Sequence, residues 1–104
     1  MREVEPIDSF VGPVLQATPL GRAIVAAIEA ANSEGVVRDE GAYLRVLGTD
    51  LCHVGRAEVE AEYGQPVTFP GDLEVIMSSF SGLVTMTEVD AVWWRATKPS
   101  PDVP

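Results

Sequence analysis

One amphipathic helix is the sequence feature that most restricts the fold of this chain. Thr18 offers an N-cap hydroxyl and Pro19 occupies the first helical position, two residues typical of a helix start. Apolar residues then recur at helical spacing, and they are Leu20, Ala23, Ile24, Ala27, Ile28 and Ala31. The pattern predicts a helix that begins at Thr18 and is ended by residues 32–35.

Glycine and proline divide the rest of the chain into short segments. Apolar alternation predicts strands at residues 10–17, 36–39, 42–47, 51–54 and 91–95, and residues 56–63 form a second helix that Gly64 stops. Residues 42–47 and 51–54 are joined by a tight turn and are predicted to pair as a β-hairpin. This mixture predicts an α+β fold, with short strands in a mixed sheet arrangement and two main helices. Two arrangements of the strands fit the pattern: two small sheets, or a single βαββαβ-like order.

The 104 residues are enough for one compact domain and too few for two. We expect this domain at residues 10–95. A polar, charged tail precedes it at residues 1–9, and a proline-rich tail follows at residues 96–104.

Charge and composition exclude several classes of partner. Sixteen acidic residues against seven basic ones give a net charge of −9, which repels nucleic acid and anionic lipid. No apolar stretch is long enough to span a bilayer, the N-terminus lacks an apolar signal core, and a single cysteine cannot form an internal disulfide. The sequence therefore predicts a cytoplasmic protein without nucleic-acid or membrane partners.

The residues that could carry chemistry do not form a catalytic or metal-binding pattern. Cys52 and His53 are neighbours on a predicted strand and point to opposite faces, so they cannot share a metal or form a dyad. The acidic residues of the second helix, Glu58, Glu60 and Glu62, are spaced to form a solvated face. Asp72 and Glu74 could act as an acid/base pair, but no nucleophile, phosphate-binding loop or metal-ligand set accompanies them. We expect no catalytic activity and no cofactor.

The segment at residues 72–82, DLEVIMSSFSG, is better suited to contact than to chemistry. Val75 and Met77 have the alternation of a half-buried strand, and small hydroxyl residues then surround Phe80. We expect an adaptable surface loop beside a rigid sheet. The adjacent Trp93 and Trp94 are predicted to place one ring in the core and the other outside or beneath a helix or tail, where an outward ring could contact a partner.

Five segments in register resemble the small effector (coupling) proteins of bacterial multicomponent diiron monooxygenases, the MmoB/DmpM family, and most closely the toluene and alkene monooxygenase type. They are VGPVLQA (11–17), AYLRV (42–46), GRAEVEAEYGQPV (55–67), DLEVIMSSFSG (72–82) and VDAVWW (89–94). Three departures from the family pattern are Ile76 in place of the usual Asn, the extra residue at Pro70-Gly71, and Gly55 in place of a hydroxyl helix cap.

The resemblance implies a cofactor-free regulatory subunit that docks on a diiron hydroxylase, with a Rieske-type ferredoxin and an NADH reductase as indirect partners. Such a subunit tunes substrate access and O₂ activation, and couples NADH use to hydroxylation or epoxidation. The implied docking residues are Ile76, Ser78, Ser79, Phe80, Ser81 and Gly82. The residues leave two alternatives open: a small-molecule-sensing regulatory domain of the ferredoxin-like kind, and a stand-alone acid/base enzyme that uses Asp72 or Glu74.

Overall fold

A computed structural model describes residues 10–32 and 35–95 of the chain. Its elements, in chain order, are β1 (Gly12–Gln16), α1 (Pro19–Ala31), β2 (Val36–Asp39), β3 (Tyr43–Leu47), β4 (Leu51–Gly55), α2 (Arg56–Tyr63), α3 (Gly71–Ile76), β5 (Met77–Ser81), β6 (Leu83–Met86) and β7 (Asp90–Trp94). The predicted α+β class is confirmed, with a short third helix beside the two main ones. The predicted tails at residues 1–9 and 96–104 lie outside the described residues.

The strands form two small antiparallel sheets, one of the two arrangements that the sequence left open. The first has four strands in the order β2-β3-β1-β5, and the second has three in the order β4-β7-β6. Both sheets and all three helices contribute to one buried apolar cluster, in which Leu15, Ile24, Val54 and Trp93 are fully inaccessible.

Helix α1 follows its sequence signals closely. The Thr18 hydroxyl accepts a hydrogen bond from the Gly21 backbone N–H at 3.0 Å, which satisfies one of the free donors of the first turn. Its C-terminal cap, Asn32, ties the helix to β4: the side-chain amide donates to the His53 carbonyl at 2.9 Å and accepts from the His53 N–H at 3.1 Å. The helix end is therefore fixed against the second sheet.

The predicted hairpin of residues 42–47 and 51–54 is wrong. Strand β3 pairs with β2 and β1, so both of its edges are occupied, whereas β4 pairs with β7 in the other sheet. The chain changes sheets at Gly48, which exchanges two backbone hydrogen bonds with Val11 at 2.9 and 2.7 Å. A short turn between two strands shows that the chain reverses direction, but not which strand each one pairs with.

The predicted strand character of residues 72–76 is also wrong, because these residues lie in α3. Leu73 and Ile76, three positions apart, are buried on one side of the helix, and Val75 is 77% exposed. Asp72 stabilises the start of this turn, since its carboxylate accepts from the Thr68 N–H at 2.9 Å. An extended segment begins only at Met77.

One extended segment supplies the outer strand of both sheets. Strands β5 and β6 are separated only by Gly82, and β5 borders the four-stranded sheet while β6 borders the three-stranded sheet. Gly82 has a φ of +89°, and a Cβ at this position would lie 2.6 Å from the Trp94 carbonyl oxygen and 2.8 Å from Val11 Cγ1. Only glycine fits this junction without displacement of its neighbours.

The two tryptophans lie on opposite faces of β7, as the alternation predicts. Trp93 is fully buried in the main core, where it lies opposite Cys52 and Val84 on the neighbouring strands. Trp94 is only 8% exposed, so the expectation of an outward ring open to a partner is not met.

Within residues 10–32 and 35–95, no helix combines the length and apolarity that a bilayer crossing requires.

Candidate functional site

The implied docking residues lie at one edge of the four-stranded sheet. Strand β5 pairs with β1 on one side, which places Phe80 opposite Pro13 and Ser79 opposite Val14, and no other described strand of this sheet follows it. The expected surface loop is thus an edge strand. Its side chains and backbone groups are held in position by the sheet.

A register shift makes this edge irregular. Val14 lies opposite Ser79 but the next residue, Leu15, lies opposite Met77, so Ser78 is the additional residue of a bulge. The Ser78 hydroxyl donates to the Val14 carbonyl at 3.3 Å and is therefore engaged within the chain. Bulges of this kind re-aim side chains at sheet edges.

The implied residues differ in accessibility. Ser78, Ser79, Phe80 and Gly82 are exposed and Ser81 is half-buried, with an exposed fraction of 44% for Phe80. Ile76 is only 7% exposed and belongs to the core, so its side chain contributes to packing and not to the exposed surface.

Sequence reasoning did not find Leu83, which continues the exposed surface on the other side of Gly82. Leu83 is 45% exposed and is the first residue of β6. The signal was present in the run Leu83-Val84, which is apolar and follows a glycine, but β6 was not predicted. Phe80 and Leu83 therefore provide an apolar contact on each side of the junction.

The chain shows clear similarity to known proteins. The sequence model of the MmoB/DmpM family matches residues 9–95. The chain belongs to this family. A curated relative, the effector subunit of the alkene monooxygenase system of Xanthobacter autotrophicus (strain ATCC BAA-1158 / Py2), is 30% identical over 89 residues, which cover 84% of this chain and 87% of the relative.

The fold of this MmoB/DmpM-family chain also resembles a solved structure. A chain of the phenol hydroxylase-regulatory protein complex superposes with a TM-score of 0.73 at 16% sequence identity, covering 82% of this chain and 97% of that chain. Family membership, the relative's role and the shared fold identify the chain as a regulatory (effector) subunit of the multicomponent monooxygenase class.

The candidate catalytic groups of this family member are engaged or separated. Burial raises the pKa of the Cys52 thiol to about 12, so the thiol is neutral and a poor nucleophile at neutral pH. His53 points to the other face, where its Nε2 lies 3.2 Å from the Asp90 carboxylate. Asp72 accepts from the Thr68 N–H, and Glu74 is exposed.

The acidic face of α2 is not entirely a solvated face. Glu60 is half-buried and its carboxylate accepts from the Val67 N–H at 2.9 Å, which ties the helix to the loop after it, while Glu58 and Glu62 are exposed as predicted. Within the described part of the chain, no three His, Cys, Asp or Glu side chains converge as a metal site would require.

Proposed function

We propose that this effector subunit docks on the diiron hydroxylase of an aromatic or alkene monooxygenase and acts there without a cofactor or catalytic activity of its own. A Rieske-type ferredoxin and an NADH reductase complete the system as indirect partners. The exposed β5 edge, with its small hydroxyl residues around Phe80, is the observation that carries the proposal. The proposed docking residues are Ser78, Ser79, Phe80, Ser81 and Gly82, with Ile76 beneath them.

The chemistry of this edge fits a protein contact. An aromatic side chain supplies apolar area at low entropic cost, and small polar neighbours adapt to a partner's hydrogen-bonding groups. Strand β5 carries no charged residue, so docking would not require the desolvation of a charge at its centre.

The proposed mechanism is a shift of the hydroxylase between conformations. A subunit that binds one conformation more tightly than another raises the population of that conformation, and a difference of about 1–3 kcal/mol changes it roughly 5- to 150-fold. Such a shift would alter substrate access and O₂ activation, and would direct electrons from NADH into hydroxylation or epoxidation.

A titration tests the role. NADH-driven product formation by the cognate hydroxylase and its electron-transfer partners is measured as this protein is added. We expect product formation and coupling to rise and to saturate near one copy per active site. An unchanged rate, coupling and product distribution would refute the proposed coupling function.

A matched pair of variants tests the surface. Phe80→Ala removes a ring from β5, and Tyr43→Ala removes a similarly exposed ring, 42% against 44%, from β3 of the same sheet. We expect the concentration needed for half-maximal stimulation to rise about tenfold for Phe80→Ala, as for loss of an interface anchor, and to stay near the original value for Tyr43→Ala. Equal effects of the two variants would locate docking elsewhere.

A further inference from the structure

The two edges of the three-stranded sheet differ in what meets their outward backbone groups. Strand β4 forms one edge and β6 forms the other, with β7 between them. In an antiparallel pair, the backbone N–H and C=O of alternate residues point toward the neighbouring strand, and those of the residues in between point away. On an edge strand, the groups that point away are either capped or available to a further strand.

The β4 edge is capped by a side chain. The Arg95 N–H donates to the Asp50 carbonyl at 3.2 Å, which sets the alternation and directs the backbone groups of His53 away from β7. The Asn32 amide meets both of these groups, because it donates to the His53 carbonyl at 2.9 Å and accepts from the His53 N–H at 3.1 Å. Asn32 therefore occupies the position that another strand would need.

The β6 edge is open. In the turn between β6 and β7, the Thr87 N–H donates to the Asp90 carbonyl at 2.8 Å, and this bond sets the alternation of the pair. Thr85 accordingly directs its backbone groups to β7, whereas Val84 and Met86 direct theirs away from it. Within the described part of the chain, no hydrogen bond reaches these outward groups of Val84 and Met86.

Strand β6 also lacks the features that usually protect an edge. Its sequence, LVTM, contains neither a charged residue nor a proline, and its pairing with β7 shows no register shift. The chain has a net charge of −9, yet residues 77–87 include no charged side chain. Because charges, prolines and bulges are the common protections of edge strands, β6 is a template on which another strand can pair.

The side chains of β6 indicate the chemistry of the segment that fits. Val84 and Met86 are half-buried and pack against the main core, and Leu83 is 45% exposed. An added strand with apolar residues would cover the accessible parts of Val84 and Met86. Only Gly82 separates β6 from β5, so this edge continues the proposed docking edge. The same partner can therefore reach both strands.

We propose that the diiron hydroxylase adds an extended, uncharged segment to β6 as the fourth strand of this sheet, through backbone hydrogen bonds to Val84 and Met86. The inference rests on the proposed docking function and specifies how part of that docking is made. Backbone pairing of this kind supplies affinity, and the alternate side chains of the added strand supply specificity.

A matched pair of proline variants tests the inference. Val84→Pro removes an outward N–H and keeps the bonds to β7, since an edge strand accepts proline where its N–H faces away from the sheet. Val37→Pro is the control: Val37 is also half-buried against the core, and its N–H points outward on the β2 edge, because the Glu40 N–H donates to the Tyr43 carbonyl. We expect the concentration for half-maximal stimulation of the hydroxylase to rise about tenfold for Val84→Pro and less than about twofold for Val37→Pro.

The outcomes separate this inference from the docking function. Equal effects of Val84→Pro and Val37→Pro would overturn strand addition, and so would a normal Val84→Pro beside a weakened Phe80→Ala. No stimulation by the unaltered protein would refute docking itself, and this inference with it. Circular dichroism confirms that each variant folds, and Met86→Pro, which removes the other outward N–H, replaces Val84→Pro if that variant does not.

Hydrogen exchange gives a second readout. The Met86 N–H has no acceptor in the described structure, so it should exchange rapidly in the free chain. Saturating hydroxylase should slow this exchange at least about tenfold and leave the Val37 N–H unchanged. An unchanged Met86 N–H would contradict strand addition. Sedimentation of the chain alone checks for a second copy: a dimer that Val84→Pro abolishes would assign the β6 edge to self-pairing and overturn the proposal.

Discussion

The two edges of the four-stranded sheet are built differently. Strand β2, on one edge, includes Arg38 and Asp39, and the Asp39 carboxylate lies 3.6 Å from the Arg22 guanidinium of α1. Strand β5, on the other edge, has the sequence MSSFS without a charge. Charged side chains are a common protection of edge strands against unwanted pairing, and β5 lacks this protection. The difference supports β5 as the edge reserved for a partner.

The largest expected effect concerns the residue that sets the position of the β5 edge. Gly82→Ala adds a Cβ at positive φ, close to the Trp94 carbonyl and the Val11 side chain. We expect the free energy of unfolding to fall by about 2–4 kcal/mol, measured by urea denaturation.

Gly64→Ala is the matched control for this change. Gly64 has a φ of +81°, but a Cβ added there would meet no described atom within 4 Å, so the variant isolates the backbone strain. Its cost should be only about 1 kcal/mol. If both variants lost the same stability, the close contact at Gly82 would not be what holds β5 and β6 in place.

An intermediate effect is expected when a charged side chain, of the kind that β2 carries, is introduced on β5. Ser79→Lys places an ammonium group on the exposed β5 edge, and we expect hydroxylase binding to weaken about 10- to 100-fold, because a buried unpaired charge is costly at an interface. Binding is measured by titration calorimetry, with circular dichroism to confirm the fold.

Val36→Lys is the counterpart on β2. Val36 is 60% exposed on the opposite edge, and the substitution changes the net charge of −9 by the same single unit. Binding should change by less than about twofold. A comparable loss in both variants would show that overall charge, and not the identity of the edge, controls docking.

The smallest effect separates two adjacent serines. Ser78 donates to the Val14 carbonyl within the chain, so Ser78→Ala should lower the free energy of unfolding by about 0.5–1 kcal/mol. Ser79→Ala should leave stability within about 0.3 kcal/mol and should act on docking instead. Urea denaturation of both variants checks this, and a greater loss of stability for Ser79→Ala would reverse the roles assigned to the two hydroxyls.

Local signals predicted the two longer helices well, missed the short helix α3 and predicted strand pairing poorly. The Thr18 cap and the spacing of Ala23, Ile24 and Ile28 are properties of neighbouring residues, and the structure confirms the helix that they predict. The partner of β4 is β7, about forty residues further along the chain, and the pairing brings Cys52 opposite Trp93 in the shared core. The predicted hairpin failed for this reason.

The candidate site was predicted as a stretch of sequence but not as a structure. Five ordered segments identified the family, and hence residues 76–82, without any knowledge of where these residues lie. Helix α3 overrode the apparent alternation of Val75 and Met77, because Leu73 and Ile76 bury the face that the core requires. The inward position of Ile76 and the exposure of Leu83 depend on tertiary packing and could not be obtained from spacing alone.

The continuity of β5 and β6 through Gly82 has a consequence for local unfolding of this protein. Since one ten-residue stretch borders both sheets, its amide protons should exchange with solvent as one cooperative unit, separately from the α1 core. A partner that binds Phe80 would then also slow amide exchange at Val84 and Thr85. A contact on the four-stranded sheet would in this way stabilise the edge of the three-stranded sheet.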